Sequence, residues 1–292
     1  MKALIFLFGL VGALAADVQV KIASLHPLMG DLARQVGGDR VEIVDIGKVG
    51  MDVHSFSPTP KDLKAMSDCD LVVASGKKIE TYLPSLADSL AGVPILEVGK
   101  SVPSRTVSDG ESLHMCCEAH AKGTIDPHWW HDVSNMERAA KVMEKQLIAL
   151  DAEGKDYYQA RSKEVRERYV KLDRWVKAQI ATVPEGQRKL VTAHAAFGYF
   201  CSTYNMEPIF VLGFSGDHEV AAKTLAEEVA KLNEEGIKAI FPEKYLNPKV
   251  LSEVAKQAGA QMGDALVADG AVASYEVMMK QNVTAIVQGL TQ

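Results

Sequence analysis

Beyond residue 14 the chain has no apolar run approaching the roughly 20 residues needed to cross a bilayer. It also lacks an excess of basic charge: 32 Lys and Arg stand against 38 Asp and Glu, a net charge of −6. Phosphate binding needs clustered cationic side chains, so nucleic acid is not an expected partner. Cysteine is scarce, and four in 292 residues are too few for a disulfide framework. Cys69 and Cys201 sit among apolar neighbours and read as buried small hydrophobes. Cys116 and Cys117 are adjacent in a loop, where a mutual disulfide and metal binding both stay open.

What is present begins at Lys2, followed by an apolar run from Ala3 to Leu14 and small residues up to Ala16. This pattern predicts a secretory signal peptide cleaved after Ala16, too short to span a membrane. No cysteine lies near that point, which argues against a lipid anchor. The expected mature chain is exported, soluble and long enough for two domains with real cores.

Short β-branched runs alternate with amphipathic segments, a pattern that implies parallel strands with helices on the sheet faces. In the first half the strands are expected at Val18–Ser24, Val41–Ile46, Leu71–Ala74 and Ile95–Val98. Helices are expected over Met29–Val36 and from Pro60, which Thr59 caps. From Ser134 to about Ile180 the pattern is helical throughout, and Lys155–Ile180 is long enough to bridge two lobes. The second half resumes with strands at Lys189–Thr192, Ile209–Leu212 and Ile237–Phe241. Helices are expected at Phe197–Tyr204, Glu219–Glu235, after Asn247-Pro248 as far as Ala258, and at Tyr275–Leu290. The fold class is therefore α/β: two similar lobes of parallel sheet flanked by helices and joined by a long connecting helix. The boundaries are 1–16 for the signal peptide, 17–153 for the N-terminal lobe, 154–183 for the connecting helix and 184–292 for the C-terminal lobe.

Three histidines occupy one structural context, each near a strand end that opens onto a helix. They are His54, His128 and His194, in segments far apart in the chain. In open parallel sheets ligands collect beyond the carboxyl ends of the strands, so an ion held by all three would lie between the lobes. The second lobe should add a carboxylate: Asp269 is the leading candidate and Glu243 the runner-up, with a helix-capping role for Asp269 as the alternative. Three neutral imidazoles and one carboxylate make a tetrahedral shell that favours zinc.

With those residues in place, the sequence resembles a known family: the metal-binding solute receptors of ABC importers, cluster A-I, and its zinc members in particular. The matching segments are Gly37–Ile43, Val53–Leu63, Asp70–Gly76, Asp126–Trp130, Leu190–Phe200, Phe241–Glu243 and Val254–Ala260. Together they cover nearly the whole mature chain. The resemblance implies two lobes on a rigid backbone helix, a metal between them, and delivery to a permease in the inner membrane. It carries ligand roles onto His54, His128, His194 and Asp269. Manganese and iron members usually have glutamate where this chain has His194, so the histidine points to zinc. Two departures stand out. The His- and acid-rich loop common in zinc members is reduced to Leu113–Gly123, with His114, Cys116, Cys117 and His120 as either a second metal site or an incidental polar loop. The first ligand follows Val53 rather than proline, with Asp52 before it as possible support.

Other residues have plainer readings. His26 and His218 are expected to be surface or hydrogen-bonded residues, and His131 a solvated first-turn residue. Trp129 and Trp130 are read as packing that keeps water from the site. The functional expectation is a monomeric periplasmic receptor that captures zinc for an ABC importer, and not an enzyme. A manganese or iron receptor of the same family is the nearer alternative. A zinc-dependent hydrolase is the more distant one, and it would need an open coordination position that a fourth ligand fills. A surface adhesin fits less well without a lipid-attachment cysteine.

Overall fold

The computed structural model describes residues 18–90, 92–108, 123–211, 222–270 and 274–291. Its frame is a pair of four-stranded parallel sheets. In the first, β1 (Val20–Ser24) lies between β2 (Val41–Asp45) and β3 (Leu71–Ala74), and β4 (Ile95–Glu97) completes the order β2-β1-β3-β4. In the second, β5 (Lys189–Thr192) lies between β6 (Glu207–Phe210) and β7 (Ala239–Phe241), with β8 (Gln261–Met262) outside β7. The two orders are the same, so the lobes are topological copies. All four residues of β3 and all three of β7 are buried, as expected of parallel strands covered on both faces.

The first lobe carries α1 (Pro27–Gly37), α2 (Pro60–Ser67), α3 (Leu83–Ser89) and α4 (Val133–Leu150). Proline opens both α1 and α2, where its missing N–H costs nothing. Thr59 and Asp62 close a reciprocal cap on α2: Asp62 N–H donates to Thr59 Oγ1 at 3.3 Å, and Thr59 N–H donates to Asp62 Oδ2 at 2.8 Å. The long helix α5 (Lys155–Ile180) buries Tyr158, Val165, Tyr169, Leu172, Val176 and Ile180, spaced three, four or seven apart along one face. The second lobe adds α6 (Gly198–Tyr204), α7 (Ala222–Glu234), α8 (Lys249–Gln257) and α9 (Tyr275–Thr291).

Most expected elements are present with ends shifted by a few residues. β1 starts at Val20, leaving Val18 exposed, and α1 begins two residues earlier than its apolar pattern because His26 caps it. Two elements had no clear signal. α3 is a short helix that buries Leu83 and Leu86, and β8 is two exposed residues held by pairing to Ala239 and Ile240.

The lobes share one core. A single apolar cluster joins Ile22 and Leu32 of the first lobe, Tyr158, Tyr169 and Val176 of α5, and Leu190, Phe241 and Val283 of the second. Each such side chain stabilises the fold by about 1.5–3 kcal/mol when removed from water, so a wide hinge opening would expose costly surface. Polar ties cross the same boundary: Tyr275 N–H donates to Asp31 Oδ2 at 2.9 Å, and Tyr275 O–H donates to the Trp130 carbonyl at 2.7 Å. Among the described residues no helix is long and apolar enough to cross a membrane.

Candidate metal centre

The structure brings His54, His128, His194 and Asp269 together. One donor atom from each lies within 4.8 Å of every other. His54 Nε2 and His128 Nε2 are 3.4 Å apart, and Asp269 Oδ1 lies 3.8 Å from the first and 4.0 Å from the second. The three imidazole centroids form a triangle with sides of 5.2, 5.4 and 5.7 Å. Donors about 2.0–2.1 Å from a tetrahedral ion stand roughly 3.3 Å apart. The shortest separation already matches this, and small inward shifts close the rest. Asp269 Oδ1 is buried without a hydrogen-bond partner, a costly state that a bound cation relieves.

Each histidine is placed by its own element, and the imidazoles of His128 and His194 each face a supporting carboxylate. His54 lies in the loop between β2 and α2, and its N–H donates to Asp52 Oδ1 at 2.9 Å. His128 precedes α4; its N–H donates to Asp126 Oδ1 at 2.9 Å, and the same oxygen lies 2.9 Å from Nδ1. Arg105 Nη1 donates to the other oxygen of Asp126 at 3.0 Å. An imidazole whose Nδ1 faces a carboxylate presents Nε2 as the donor to a metal. His194 follows β5, and its Nδ1 lies 2.6 Å from Glu243 Oε2. Glu243 Oε1 accepts the N–H groups of Ala193 at 3.1 Å and His194 at 3.0 Å. Glu243 can do this because β7, which it follows, pairs with β5. Glu243, the runner-up carboxylate, thus stands behind His194 and outside the four-donor group.

The electrostatics suit exchange of a proton for a metal. Burial pushes the His194 imidazole down, but the charge and contact of Glu243, with Asp269 and Asp126, outweigh it and lift the pKa to about 9. Burial, opposed by His194 and reinforced by Glu243 and Asp52, raises Asp269 to about 7. A cation entering this pocket displaces protons from groups that hold them at neutral pH.

Buried aromatics pack beside the site. Trp129 and Trp130 are fully buried, Trp129 donating to Ser75 Oγ at 3.0 Å and Trp130 to the Ala268 carbonyl at 2.8 Å. His131 is not solvated, contrary to the sequence reading. It is buried against Phe197, ring centroids 4.5 Å apart, and burial lowers its pKa to about 3. The short turn Trp129–His131 carries it inward beneath α6. His26 is the hydrogen-bonded residue expected: it is buried, and its Nδ1 accepts the Leu28 N–H at 3.2 Å to cap α1. His114, Cys116, Cys117, His120 and His218 lie outside the described residues.

Sequence reasoning assigned no role to Asp126 or Arg105 and treated Glu243 as a ligand candidate. One signal was available: an aspartate stands two residues before both His54 and His128 and accepts the backbone N–H of that histidine in each case. The copied topology also aligns Ser24-Leu25-His26 with Thr192-Ala193-His194. Ser24 Oγ donates to the His26 carbonyl at 2.8 Å and Thr192 Oγ1 to the His194 carbonyl at 3.1 Å. The two lobes place a histidine at equivalent positions, one packed against Trp130 and one against His54 and His128.

Two copied lobes on a spanning helix, with convergent imidazoles and a carboxylate between them, define a receptor for a divalent metal ion. The family model described as zinc-uptake complex component A, periplasmic, matches residues 22–289, and the chain belongs to that family. It is 26% identical to the manganese-binding lipoprotein MntA of Halalkalibacterium halodurans over 94% of this chain and 89% of that one. It is 27% identical to the metal ABC transporter substrate-binding lipoprotein FimA of Streptococcus parasanguinis over 98% and 96% of the two chains. The fold matches the periplasmic zinc binding protein TroA from Treponema pallidum with a TM-score of 0.83 at 23% identity, covering 94% of this chain and 100% of that one. The chain is the substrate-binding component of an ABC metal importer, a receptor and not an enzyme.

Proposed function

We propose that this receptor captures zinc in the periplasm as a monomer and delivers it to the inner-membrane permease of an ABC importer. In this reading residues 1–16 are removed on export, residues 17–153 and 184–292 act as metal-binding lobes, and residues 154–183 connect them. His54, His128 and His194 bind the ion through imidazole nitrogens and Asp269 through Oδ1. The observation that carries the reading is the convergence of four donors, from four separate segments and both lobes, within 4.8 Å. Three nitrogens and one oxygen favour zinc, whereas manganese favours oxygen-rich sites with more ligands.

Manganese is the second reading, because MntA and other similar receptors carry manganese in their names. Competition titrations of the metal-free protein separate the two. Zinc should bind at least about 100-fold more tightly than manganese, the margin a nitrogen-rich set adds along the divalent series. Comparable affinities for the two ions would overturn the zinc assignment. Loss of zinc from variants of each of the four residues checks the ligand set, and N-terminal sequencing of the exported protein checks the cleavage.

A further inference from the structure

Tyr245 holds a backbone conformation that its residue type resists. The turn from Glu243 to Leu246 is closed by Leu246 N–H donating to the Glu243 carbonyl at 3.3 Å, and Tyr245, its third residue, has φ of 72°. That position normally takes glycine or asparagine, and a bulky side chain there is an outlier. The residue is also 66% exposed, so burial does not explain its place. Its ring reaches the other lobe. A Cβ built on Gly50 would lie 3.4 Å from Tyr245 Cε1 and 3.5 Å from Cζ, so the ring stands over the glycine at the distance where a β-carbon would just touch it. Gly50 has φ of 84° and is itself third in a turn, closed by Met51 N–H donating to the Lys48 carbonyl at 3.1 Å.

Two left-handed turn tips thus meet across the lobes, and both lead to the metal centre. Gly50 is in the loop that carries His54. Tyr245 is two residues from Glu243, which supports His194, and the neighbouring Lys244 N–H donates to the Leu266 carbonyl at 2.8 Å, in the segment that supplies Asp269. Outlying backbone conformations persist where the surroundings over-determine them, and they concentrate at sites that move or bind.

We propose that Tyr245 is a strap between the lobes: its ring, seated on Gly50, holds the His54 loop against the His194 and Asp269 side and sets how fast the donors part. It is a positioning residue that acts through the His54 loop. The proposal rests on the metal reading above, and its test is built to separate the two. In the full mature chain, Tyr245→Gly should release zinc to excess chelator about tenfold faster in stopped flow, the change that one aromatic contact accounts for. Metal-free Tyr245→Gly should melt no lower than the parent, since glycine accepts φ of 72°, an outcome that a merely stabilising tyrosine would not give.

Amide exchange in the metal-free protein gives a readout independent of metal. Residues 48–55 should exchange several-fold faster in Tyr245→Gly than in the parent. Unchanged exchange in that loop overturns the strap, as does zinc release at the parental rate. Faster exchange in Tyr245→Gly together with a parent that holds no zinc overturns the metal reading and leaves the strap standing.

Discussion

Trp130 Nε1 donates to the carbonyl of Ala268 at 2.8 Å, tying the segment of His128 to the segment of Asp269 across the two lobes. Trp130 is fully buried, and its own carbonyl accepts from Tyr275. The relative position of two donors is therefore set by one indole in a shared core. Trp130→Phe keeps most of the packing and leaves the Ala268 carbonyl without this donor, at a cost of about 1–3 kcal/mol for a buried acceptor. We expect a lower Tm in calorimetry and zinc affinity reduced about tenfold, the lower end of the effect of removing an outer support. Parental affinity in a destabilised Trp130→Phe would show that the tie is structural only.

Glu243 gives a sharper case because its two oxygens divide the work. One accepts the N–H groups of Ala193 and His194, and the other faces His194 Nδ1. Glu243→Gln keeps the shape and an accepting oxygen but removes the charge that raises the basicity of His194. Zinc affinity should fall about 10- to 100-fold, as for other outer partners of histidine ligands. Binding abolished outright, with the protein folded, would instead indicate that Glu243 contacts the ion directly.

Proton release should accompany capture. His194 is held at about 9, above its ordinary 6.5, so at pH 7.5 zinc must displace that proton. Titration calorimetry in buffers of different ionisation enthalpy should report about one proton released per zinc near neutrality. Asp269, raised to about 7, adds a second displaced proton below that pH and steepens the fall of affinity toward acid. The metal-free protein should behave oppositely. A folded-state pKa above the unfolded one gives stability that is full below pH 6.5 and is lost as pH rises toward 9. Its Tm should decline from pH 7 to 9 while zinc binding tightens, and a rising metal-free Tm over that range would refute the assignment for His194.

The sheet strands and the three histidines that the structure brings together were readable because their signals are local. Leu71–Ala74 announces a covered strand by composition alone, and His194 announces itself by following one. β8 was not readable, since Gln261 and Met262 are a strand only because Ala239 and Ile240 stand beside them. The same limit hid the roles around the donors. Glu243 and His194 are 49 residues apart, and only the β5–β7 pairing turns Glu243 from a ligand candidate into the group behind His194. His131 shows the reverse error: a polar residue in a helix-opening phrase reads as solvated until Phe197, 66 positions away, covers it.

Arg105 and Gly198 meet where the first lobe packs against α6. Arg105 holds Asp126, which in turn orients His128, and the pair packs against the backbone of Gly198 from the second lobe. A Cβ at Gly198 would fall against the Arg105 guanidinium, 2.6 Å from Cζ and 2.8 Å from Asp126 Oδ2. Both neighbours are engaged, Asp126 is buried, and α6 is fixed by the buried Tyr199 and Phe200, so the added methyl cannot be absorbed by a free side-chain end. Gly198→Ala should cost about 1–3 kcal/mol through overpacking. It should also weaken zinc binding by at least about tenfold through the disturbed Asp126–His128 contact. Arg105→Ala in the Gly198→Ala background removes the guanidinium clash but leaves Asp126 Oδ2 in the way and without the Arg105 charge. The double variant should therefore recover neither stability nor affinity, because a buried carboxylate loses its paired guanidinium and His128 loses its support. Recovery of both would mean that Arg105 does nothing for His128 beyond filling space.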